Sequence, residues 1–235
     1  MAGQKYIFWD FDGTLAYRPG KWSGALADIA NEYKHDANFT YDDFHPLIKK
    51  KFFWDKAQCE HHHLSDPDNW WSALSPLFVK AFIEVGFSEH EAQNLAGQVR
   101  SRYVDPTHWR LFEDTVEALD ILSNLGWKHV ILSNHVPELS MIVKKLGLTP
   151  HIHAIFNSAE TGIEKPNPKA YQNAVVCLAA NPDWLLMVGD NVETDVLAPE
   201  SLGIRSILVR NHDPRVPRCC STLLTLSELI KKEYK

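Results

Sequence analysis

Two carboxylates near the start of the chain, Asp10 and Asp12, stand two residues apart and directly after the apolar run 6–9 (YIFW). That run is short, rich in aromatic residues and ended by a turn containing Gly13, which predicts a buried strand. Ligands in open α/β sheets bind at the carboxyl ends of the strands. An acidic pair at such an end suits a divalent cation, or a carboxylate nucleophile with an acid/base partner. The competing interpretation is a plain turn, because Asp and Gly are common turn residues.

The elements that would position these acids fall into two groups along the chain. Residues 105–235 alternate apolar runs with helical patterns, which indicates βαβ units in a parallel sheet. Residues 16–104 predict about four helices packed as a small bundle. The predicted fold is therefore α/β, with a Rossmann-like, doubly wound parallel sheet core formed by 1–15 and 105–235. The helical bundle 16–104 is inserted into that core.

Two helix starts carry a capping-box pattern, in which a side chain caps the helix and an acid follows three residues later. Ser88 is followed by Glu91, and Asp114 is followed by Glu117. We therefore expect the side chains of Ser88 and Asp114 to cap the helices that begin there.

Polar side chains also follow the other predicted strands. Ser133 comes at the end of the second strand, and Lys165 lies in a Pro-rich loop beyond the third. Asp190 follows the fourth strand, and Asp195 comes five residues later. Four strand ends thus carry polar groups. The predicted strands are 6–9, 129–132, 155–156, 184–188 and 204–209.

These four segments resemble, in order, the four motifs of the haloacid dehalogenase-like hydrolase superfamily. The motifs D-x-D-G-T-L, hydrophobic-S-N, x-K-P-x-P and G-D-x-x-x-x-D occur here as DFDGTL, ILSN, EKPNP and GDNVETD. Each motif is weak alone, but the four in this order make the resemblance strong. It covers roughly 1–15 and 105–210, and it implies that 16–104 is the small helical cap of the family's first cap class. Within the family, the layout resembles the phosphatase-rich branch of small-molecule hydrolases.

The resemblance implies a Mg²⁺-dependent hydrolase that removes phosphate from a small phosphorylated metabolite. Asp10 would be the nucleophile that forms an aspartyl-phosphate. Asp12 would protonate the leaving alcohol and then take a proton from the attacking water. Mg²⁺ would be bound by Asp10, the backbone carbonyl of Asp12, and Asp190.

The remaining motif residues would bind the phosphate or support the site. Ser133, helped by backbone N–H groups near Asn134, would hydrogen-bond a phosphoryl oxygen. Lys165 would supply positive charge to the nucleophile and the phosphate. Asp195 would orient the metal site or Lys165.

Three residues after the first motif, Arg18, Lys21 and Trp22, are the candidates for cap groups that face the site. The alternative is that they are solvated hinge residues. Such cap groups would decide among the functions that the core motifs leave open. A phosphomutase keeps both acids of the first motif, so these residues do not exclude one. A 2-haloacid dehalogenase lacks the second acid, so the presence of Asp12 argues against a dehalogenase. A catalytically silent binding protein of the same fold is the alternative from another class, and the intact motif set disfavours it.

Composition and charge exclude several classes of partner. A net charge of −6 indicates no nucleic-acid footprint, and no apolar run approaches the roughly 20 residues that span a bilayer. The first predicted strand begins within a few residues of the start, which leaves no room for a signal peptide. We therefore expect a cytoplasmic monomer or homodimer whose partner is a small phosphorylated metabolite.

Two other groups of residues are predicted to have neither a metal-binding nor a redox role. His61, His62 and His63 cannot all face one metal on a helix, and their polar surroundings favour a solvated loop. The four cysteines include no C-x-x-C pair. The adjacent Cys219 and Cys220 are expected to be idle thiols rather than a redox pair.

Overall fold

The centre of the computed structural model, which describes residues 4–56 and 59–233, is a six-stranded parallel sheet. The strands are β1 (Lys5–Trp9), β2 (Ala16–Tyr17), β3 (Arg110–Leu111), β4 (Trp127–Ser133), β5 (Ile152–Asn157), β6 (Leu185–Gly189), β7 (Arg205–Val209) and β8 (Cys219–Cys220). The sheet has the order β5-β4-β1-β6-β7-β8, and all of its neighbouring pairs are parallel. Strands β2 and β3 form a separate antiparallel pair. The predicted α/β fold with a parallel sheet is confirmed.

Strand β1 occupies the middle of the sheet because its side chains are apolar on both faces. Ile7 and Trp9 pack into the core on one face, whereas Tyr6 and Phe8 pack into the core on the other. A continuous apolar run of this kind is typical of a parallel strand covered by helices on both sides. Because β4 and β6 flank β1, the carboxyl ends of these three strands meet at one edge.

Helices of the inserted segment follow the first strands and precede β3. They are α1 (Lys21–Tyr33), α2 (Tyr41–Ile48), α3 (Pro67–Glu84), α4 (Glu89–Ala96) and α5 (Val99–Val104). The predicted capping box at α4 is confirmed, since Ser88 and Glu91 each bond the backbone N–H of the other. We call this helical insertion the cap, and its division from the core at residues 16 and 104 stays a prediction.

Helices of the core cover the two faces of the sheet. They are α6 (Thr115–Asn124), α7 (Leu139–Lys145), α8 (Ser158–Thr161), α9 (Pro168–Cys177), α10 (Ala198–Ser201) and α11 (Leu223–Glu233). A single π-helical turn, Glu193–Leu197, connects β6 to α10. Among the residues that the structure describes, no helix is long and apolar enough to cross a membrane.

The capping role predicted for the Asp114 side chain is wrong. Asp114 does stand at the start of α6, but its side chain makes no capping hydrogen bond there. Its carboxylate instead accepts from the Arg210 guanidinium (2.5 Å) and from the Leu223 backbone N–H (2.7 Å). A partner more than ninety residues away, arriving after β7, supplies a charged donor that the local pattern could not indicate.

The histidine run and the cysteine pair are both ordered parts of the fold. The segment His62–Leu64 is a short 3-10 turn, and the backbone N–H of His61 donates to the Gly162 carbonyl (2.6 Å). Cys219 and Cys220 form the edge strand β8, which the sequence did not predict, and all four cysteines are free thiols.

A buried histidine of strand β4, His129, links β1 to α6. The indole N–H of Trp9 donates to His129 Nδ1 (3.0 Å), and His129 Nε2 lies 2.9 Å from the Leu119 carbonyl. Nδ1 is thus an acceptor and Nε2 carries the proton. Burial lowers the pKa of His129 to about 4, because the charged imidazolium is disfavoured away from water.

This histidine should make the fold sensitive to acid. Because its folded-state pKa lies below the unfolded value of 6.5, its contribution is complete above pH 6.5 and is lost as pH falls toward 4. Between pH 7 and pH 5 the loss is about 2 kcal/mol. In urea denaturation, His129→Gln should lose correspondingly less free energy of unfolding over this interval. The exposed His90→Gln is the control, and equal pH dependence of the two variants would contradict the assignment.

Candidate active site

The loop that follows β1 carries Asp10 and Asp12 at the carboxyl edge of the sheet. Asp10 still belongs to the ladder, since its N–H donates to the Val188 carbonyl of β6 (2.9 Å). Gly13 then turns the chain with a φ of 95°. A Cβ on Gly13 would meet Asp190 Oδ2 at 2.3 Å. Both the backbone conformation and the Asp190 carboxylate therefore require glycine at this position.

Two donors hold the carboxylate of Asp10, which is 9% exposed. The Ser133 hydroxyl donates to Oδ1 at 2.9 Å, and Lys165 Nζ donates to the same oxygen at 3.0 Å. No hydrogen bond from a described residue uses Oδ2. One oxygen is thus fixed, while the other is available to attack an electrophile or to bind a cation.

Lys165 is held in place at both its backbone and its side chain. The Asn134 amide donates to the Lys165 carbonyl (2.7 Å) and accepts from the Lys165 N–H (2.8 Å). Burial disfavours the charge on Lys165, but the carboxylates of Asp10 and Asp195 outweigh it and raise its pKa. The Asn134 side chain is therefore committed to Lys165, which leaves its backbone N–H for the phosphate contact predicted there.

Three carboxylates, those of Asp10, Asp190 and Asp195, offer oxygens that lie within 4.8 Å of one another. Those of Asp195 are already engaged, because Oδ1 accepts from Lys165 Nζ (2.6 Å) and Oδ2 from the Asn191 N–H (3.0 Å). No hydrogen bond from a described residue reaches the Asp190 carboxylate. Asp10 and Asp190 are the members left to bind a cation, and Asp195 orients Lys165.

The electrostatics of the site favour a bound cation. Burial, with a smaller contribution from the charge of Asp10, raises the pKa of Asp190 to about 7. Burial likewise raises the pKa of Asp12 to about 6, against the opposing charge of Lys21. A cation beside these acids would favour their charged forms. Carboxylate and carbonyl oxygens are the ligands that Mg²⁺ takes in proteins, so the donor set fits this ion.

The residues of the four motifs therefore come together at one edge of the sheet, in a chain whose residues 4–203 match the sequence model of haloacid dehalogenase-like hydrolases. The chain belongs to the haloacid dehalogenase-like hydrolase family. The matched range contains every motif residue named above and all of the helical cap. The family resemblance that the motifs suggested is thus confirmed.

Three curated relatives are similar to this chain at 25–29% identity. A haloacid dehalogenase-like hydrolase domain-containing protein 3 from Bos taurus is 25% identical over 63% of this chain and 58% of its own length. The phosphoserine phosphatase of Thermus thermophilus is 29% identical over 59% of this chain and 56% of its own. The glyceraldehyde 3-phosphate phosphatase of Methanothermobacter thermautotrophicus is 27% identical over 88% of this chain and 86% of its own length. The chain thus spans less than two thirds of the first two relatives.

Solved structures of the family share this fold over nearly their whole length. YfnB from Bacillus subtilis, a HAD-hydrolase bound to magnesium, has a TM-score of 0.71 at 15% identity, covering 97% of this chain and 99% of its own. The L-2-haloacid dehalogenase of Xanthobacter autotrophicus has a TM-score of 0.69 at 18% identity, with the same coverage. Both structures therefore support the fold of this family member over nearly its whole length.

A cleft of about 1010 Å³ opens between this catalytic edge and the cap. From the cap side it is lined by Lys21, Trp22, Trp54 and Cys59. Lys21 Nζ lies 3.5 Å from Asp12 Oδ2, and this carboxylate is the main reason that the pKa of Lys21 is raised. Lys21 and Trp22 therefore lie where the sequence placed them, facing the site.

Arg18 does not line the cleft, so the interpretation of this residue as a cleft-facing group is wrong. Its side chain is buried, and its guanidinium donates to Asp28 (3.0 Å) and to the carbonyls of Pro19 (3.1 Å) and Lys21 (3.0 Å). These bonds fix the start of α1, where Lys21 has a φ of 46°. Arg18 thus positions Lys21 and does not meet the substrate itself.

Sequence reasoning missed three residues beside the catalytic groups: Trp54, Tyr103 and His135. Trp54 lies in the short turn Phe53–Lys56 and lines the cleft. Trp22 stacks on Tyr103 with 3.8 Å between ring centroids. His135 follows the second motif directly, and that adjacency was the one signal in the sequence that could have singled it out.

A carboxylate of the core, Glu138, joins the cap to the core. The Trp71 indole N–H donates to Glu138 (3.2 Å), and Arg100 Nε donates to it at 2.8 Å. Trp70 and Trp71 are largely buried, at 3% and 8% exposure, as expected of cap core residues. Trp71 thus packs within the cap and also bonds the cap to the core through Glu138.

Proposed function

We propose that this family member is a Mg²⁺-dependent phosphatase that removes phosphate from a small phosphorylated metabolite through an aspartyl-phosphate on Asp10. The observation that carries the proposal is the environment of Asp10, in which Ser133 and Lys165 hold one oxygen and leave the other available. The relatives named phosphoserine phosphatase and glyceraldehyde 3-phosphate phosphatase support a small phosphate ester as the substrate.

In the first half of the reaction, Asp10 Oδ2 attacks phosphorus and the bond to the leaving oxygen breaks. Asp12 donates a proton to that oxygen, so the leaving group departs as a neutral alcohol. Burial suits Asp12 to this role, because a pKa of about 6 keeps part of the enzyme protonated near neutral pH. Its Oδ1 is buried and accepts no hydrogen bond from a described residue.

In the second half, a water molecule attacks the phosphorus of the aspartyl-phosphate. Asp12, now a carboxylate, takes a proton from this water, and the bond from phosphorus to Asp10 breaks to release inorganic phosphate. Lys165 and Ser133 stay next to Asp10 throughout, so positive charge and a hydroxyl donor accompany the phosphoryl group in both steps.

Mg²⁺ would be held by Asp10, Asp190 and the backbone carbonyl of Asp12. When bound, it offsets the negative charges of carboxylate and phosphate, which otherwise repel each other. Lys165 bonds Asp195 and also Oδ1 of Asp10. The lysine charge and the metal charge would therefore both act at Asp10 and the phosphate bound to it.

The reaction class is tested by turnover of p-nitrophenyl phosphate with and without Mg²⁺, followed by phosphate release from a panel of phosphorylated metabolites. Mg²⁺-dependent phosphate release is the expected result. Isomerisation of a sugar phosphate without phosphate release would favour a phosphomutase. Halide release from 2-chloropropionate alone would favour a dehalogenase, and no turnover of any of these compounds would favour a silent binding protein.

The cap residue Lys21 should control substrate choice. Its charge faces Asp12, beside the position of the leaving group, and 55% of its side chain is exposed in the cleft. Lys21→Met should change the ratio of kcat/KM between anionic and neutral leaving groups by about tenfold, because selectivity is differential transition-state binding. The Mg²⁺ concentration for half-maximal rate should stay as in the wild type, since the proposed ligands are in the core. Equal loss on every substrate would contradict this role.

Replacing Trp22 should also alter substrate selectivity, but its stability must be measured alongside. Trp22 contacts several aromatic rings of the cap, including Tyr103 and Trp70. Truncation to Ala should therefore destabilise the fold by about 3 kcal/mol. Trp22→Phe keeps most of this packing and is the better variant for comparing substrates.

A further inference from the structure

A second cavity, of about 90 Å³, adjoins the catalytic cleft and shares Asp12, Trp22, Trp54 and Asn134 with it. Its other walls include Trp70, Tyr103 and His135. An engineered protein cavity of about 150 Å³ binds benzene, so this one has room for a shorter group of a few heavy atoms. Because Asp12 lies on its wall, the cavity is where the leaving group of a phosphate ester would lie.

The apolar walls of this inner cavity are held rigidly by ring packing. Trp22 stacks on Tyr103 with an interplanar angle of 11°, and Trp54 stacks on Trp70 with 5.5 Å between centroids. Rings packed in this way present flat, fixed surfaces and offer few hydrogen bonds. Large or strongly hydrated leaving groups, such as that of p-nitrophenyl phosphate, therefore do not fit this inner cavity and would lie in the larger cleft, which Asp12 also lines.

His135 is a buried polar residue on these walls, which also include Asn134 and Ser158. It is 7% exposed, and neither ring nitrogen makes a hydrogen bond of normal geometry with a described residue. Burial lowers its pKa to about 4, although the charge of Asp10 and the Val136 backbone act in the opposite direction. The Val136 carbonyl already accepts from Asn157 Nδ2 (2.8 Å). A neutral imidazole here can offer one donor and one acceptor to whatever enters the cavity.

The charges on the walls of the inner cavity limit which chemical groups it can bind. No described residue that lines it is a lysine or arginine, and Lys21, which faces Asp12, lines only the larger cleft. A second phosphate or carboxylate inside the inner cavity would therefore find no cation among the described residues of its walls. Among the described residues of this wall, the buried polar groups without a hydrogen bond are Asp12 Oδ1 and the His135 ring. In the proposed reaction Asp12 donates a proton to the leaving oxygen. His135 could then hydrogen-bond to a second polar atom of the leaving group.

We propose that His135 determines specificity by hydrogen bonding to a hydroxyl or carbonyl oxygen on a short, uncharged leaving group held in the inner cavity. This inference rests on the proposed phosphatase function and names its substrate class. A leaving group without such an oxygen would bury the imidazole unpaired, and a site built to bond a polar group discriminates strongly against the analogue that lacks it.

The test compares 3-hydroxypropyl phosphate with propyl phosphate, which differ by one terminal hydroxyl. The wild type should show kcat/KM for the hydroxylated ester about tenfold higher. In His135→Phe, which keeps a ring but no polar atom, this ratio should fall to about one through loss on the hydroxylated ester alone. His135→Gln, which keeps a donor and an acceptor, should restore part of the preference. The Gln variant and the wild-type ratio also decide the matter if the Phe variant does not fold.

The inference is overturned if the wild type hydrolyses both esters equally, or if His135→Phe loses the same factor on both. It is also overturned if phosphocholine is the preferred ester, because a trimethylammonium group would bind the aromatic rings through cation–π contacts and would not hydrogen-bond to His135. Turnover of p-nitrophenyl phosphate distinguishes failure of the His135 hypothesis from failure of the proposed phosphatase function. If p-nitrophenyl phosphate is hydrolysed with Mg²⁺ but the propyl esters show no hydroxyl preference, only the role of His135 is wrong. If no ester releases phosphate, the proposed phosphatase function is wrong as well.

Discussion

Asp10→Asn is expected to lower kcat for p-nitrophenyl phosphate by about 10³-fold or more. The amide keeps the shape of the carboxylate and can still accept from Ser133 and Lys165, which both bond Oδ1 in the native protein. What it loses is the negative charge on the second oxygen, which makes the bond to phosphorus in the proposed reaction. The loss should therefore appear in kcat for every phosphate ester.

The matched control for this variant is Asp36→Asn, which makes the same change at an exposed position in the cap. It should keep wild-type kcat, and both variants should keep the wild-type melting temperature. Intact-mass analysis of each Asn variant excludes deamidation back to Asp as a source of residual activity. An Asp10→Asn enzyme that retains more than a tenth of wild-type turnover would overturn the assignment of the nucleophile.

The catalytic edge of this fold was predictable because its determinants are local. The run 6–9 is apolar on both faces, so it predicts a central parallel strand, and the acids that follow it must lie at the carboxyl edge. The same holds for Ser133 at the end of β4 and Asp190 directly after β6. Short motifs at strand ends thus encode the core of the site without knowledge of long-range packing.

Charged residues with distant partners were not predictable in this way. Asp114 has the sequence pattern of a helix cap, but Arg210 and Leu223 bind its carboxylate. Arg18 has the position of a cleft residue, yet Asp28 on α1 holds it in the interior. In each case a tertiary ion pair outweighs the local preference, because burial strengthens the interaction between opposite charges.

The cap side of the site was the least predictable part. Helical periodicity indicates that Trp70 is buried, and it is, at 3% exposure. The same periodicity cannot distinguish a ring packed against other rings from a ring that also forms the wall of a cavity. The contributions of Trp54, Tyr103 and His135 to the inner cavity depend on how separate segments pack, and no spacing along the chain records that.

Chelation by EDTA is expected to abolish phosphatase turnover, and added Mg²⁺ should restore it. The reason is the charge of the site, where Asp10 and Asp190 approach each other and burial raises the pKa of Asp190 to about 7. Lys165 is already paired with Asp10 and Asp195. A phosphate dianion would therefore meet uncompensated carboxylates unless a divalent cation is present. The measurement is the initial rate of p-nitrophenyl phosphate hydrolysis across a Mg²⁺ titration.

Variants of two aspartates separate a metal ligand from a general loss of charge. Asp190→Asn should raise the Mg²⁺ concentration for half-maximal rate by at least about tenfold, because Asp190 accepts no hydrogen bond from a described residue and is free to bind the cation. Asp183→Asn, seven residues earlier and exposed, should leave the Mg²⁺ titration unchanged. Beryllium fluoride with Mg²⁺ should inhibit the wild type by occupying Asp10 as an aspartyl-phosphate mimic, and Asp10→Asn should not respond to it. Full activity of thoroughly chelated enzyme would instead indicate metal-free chemistry of the dehalogenase kind, in which a carboxylate attacks carbon and no phosphate charge has to be neutralised.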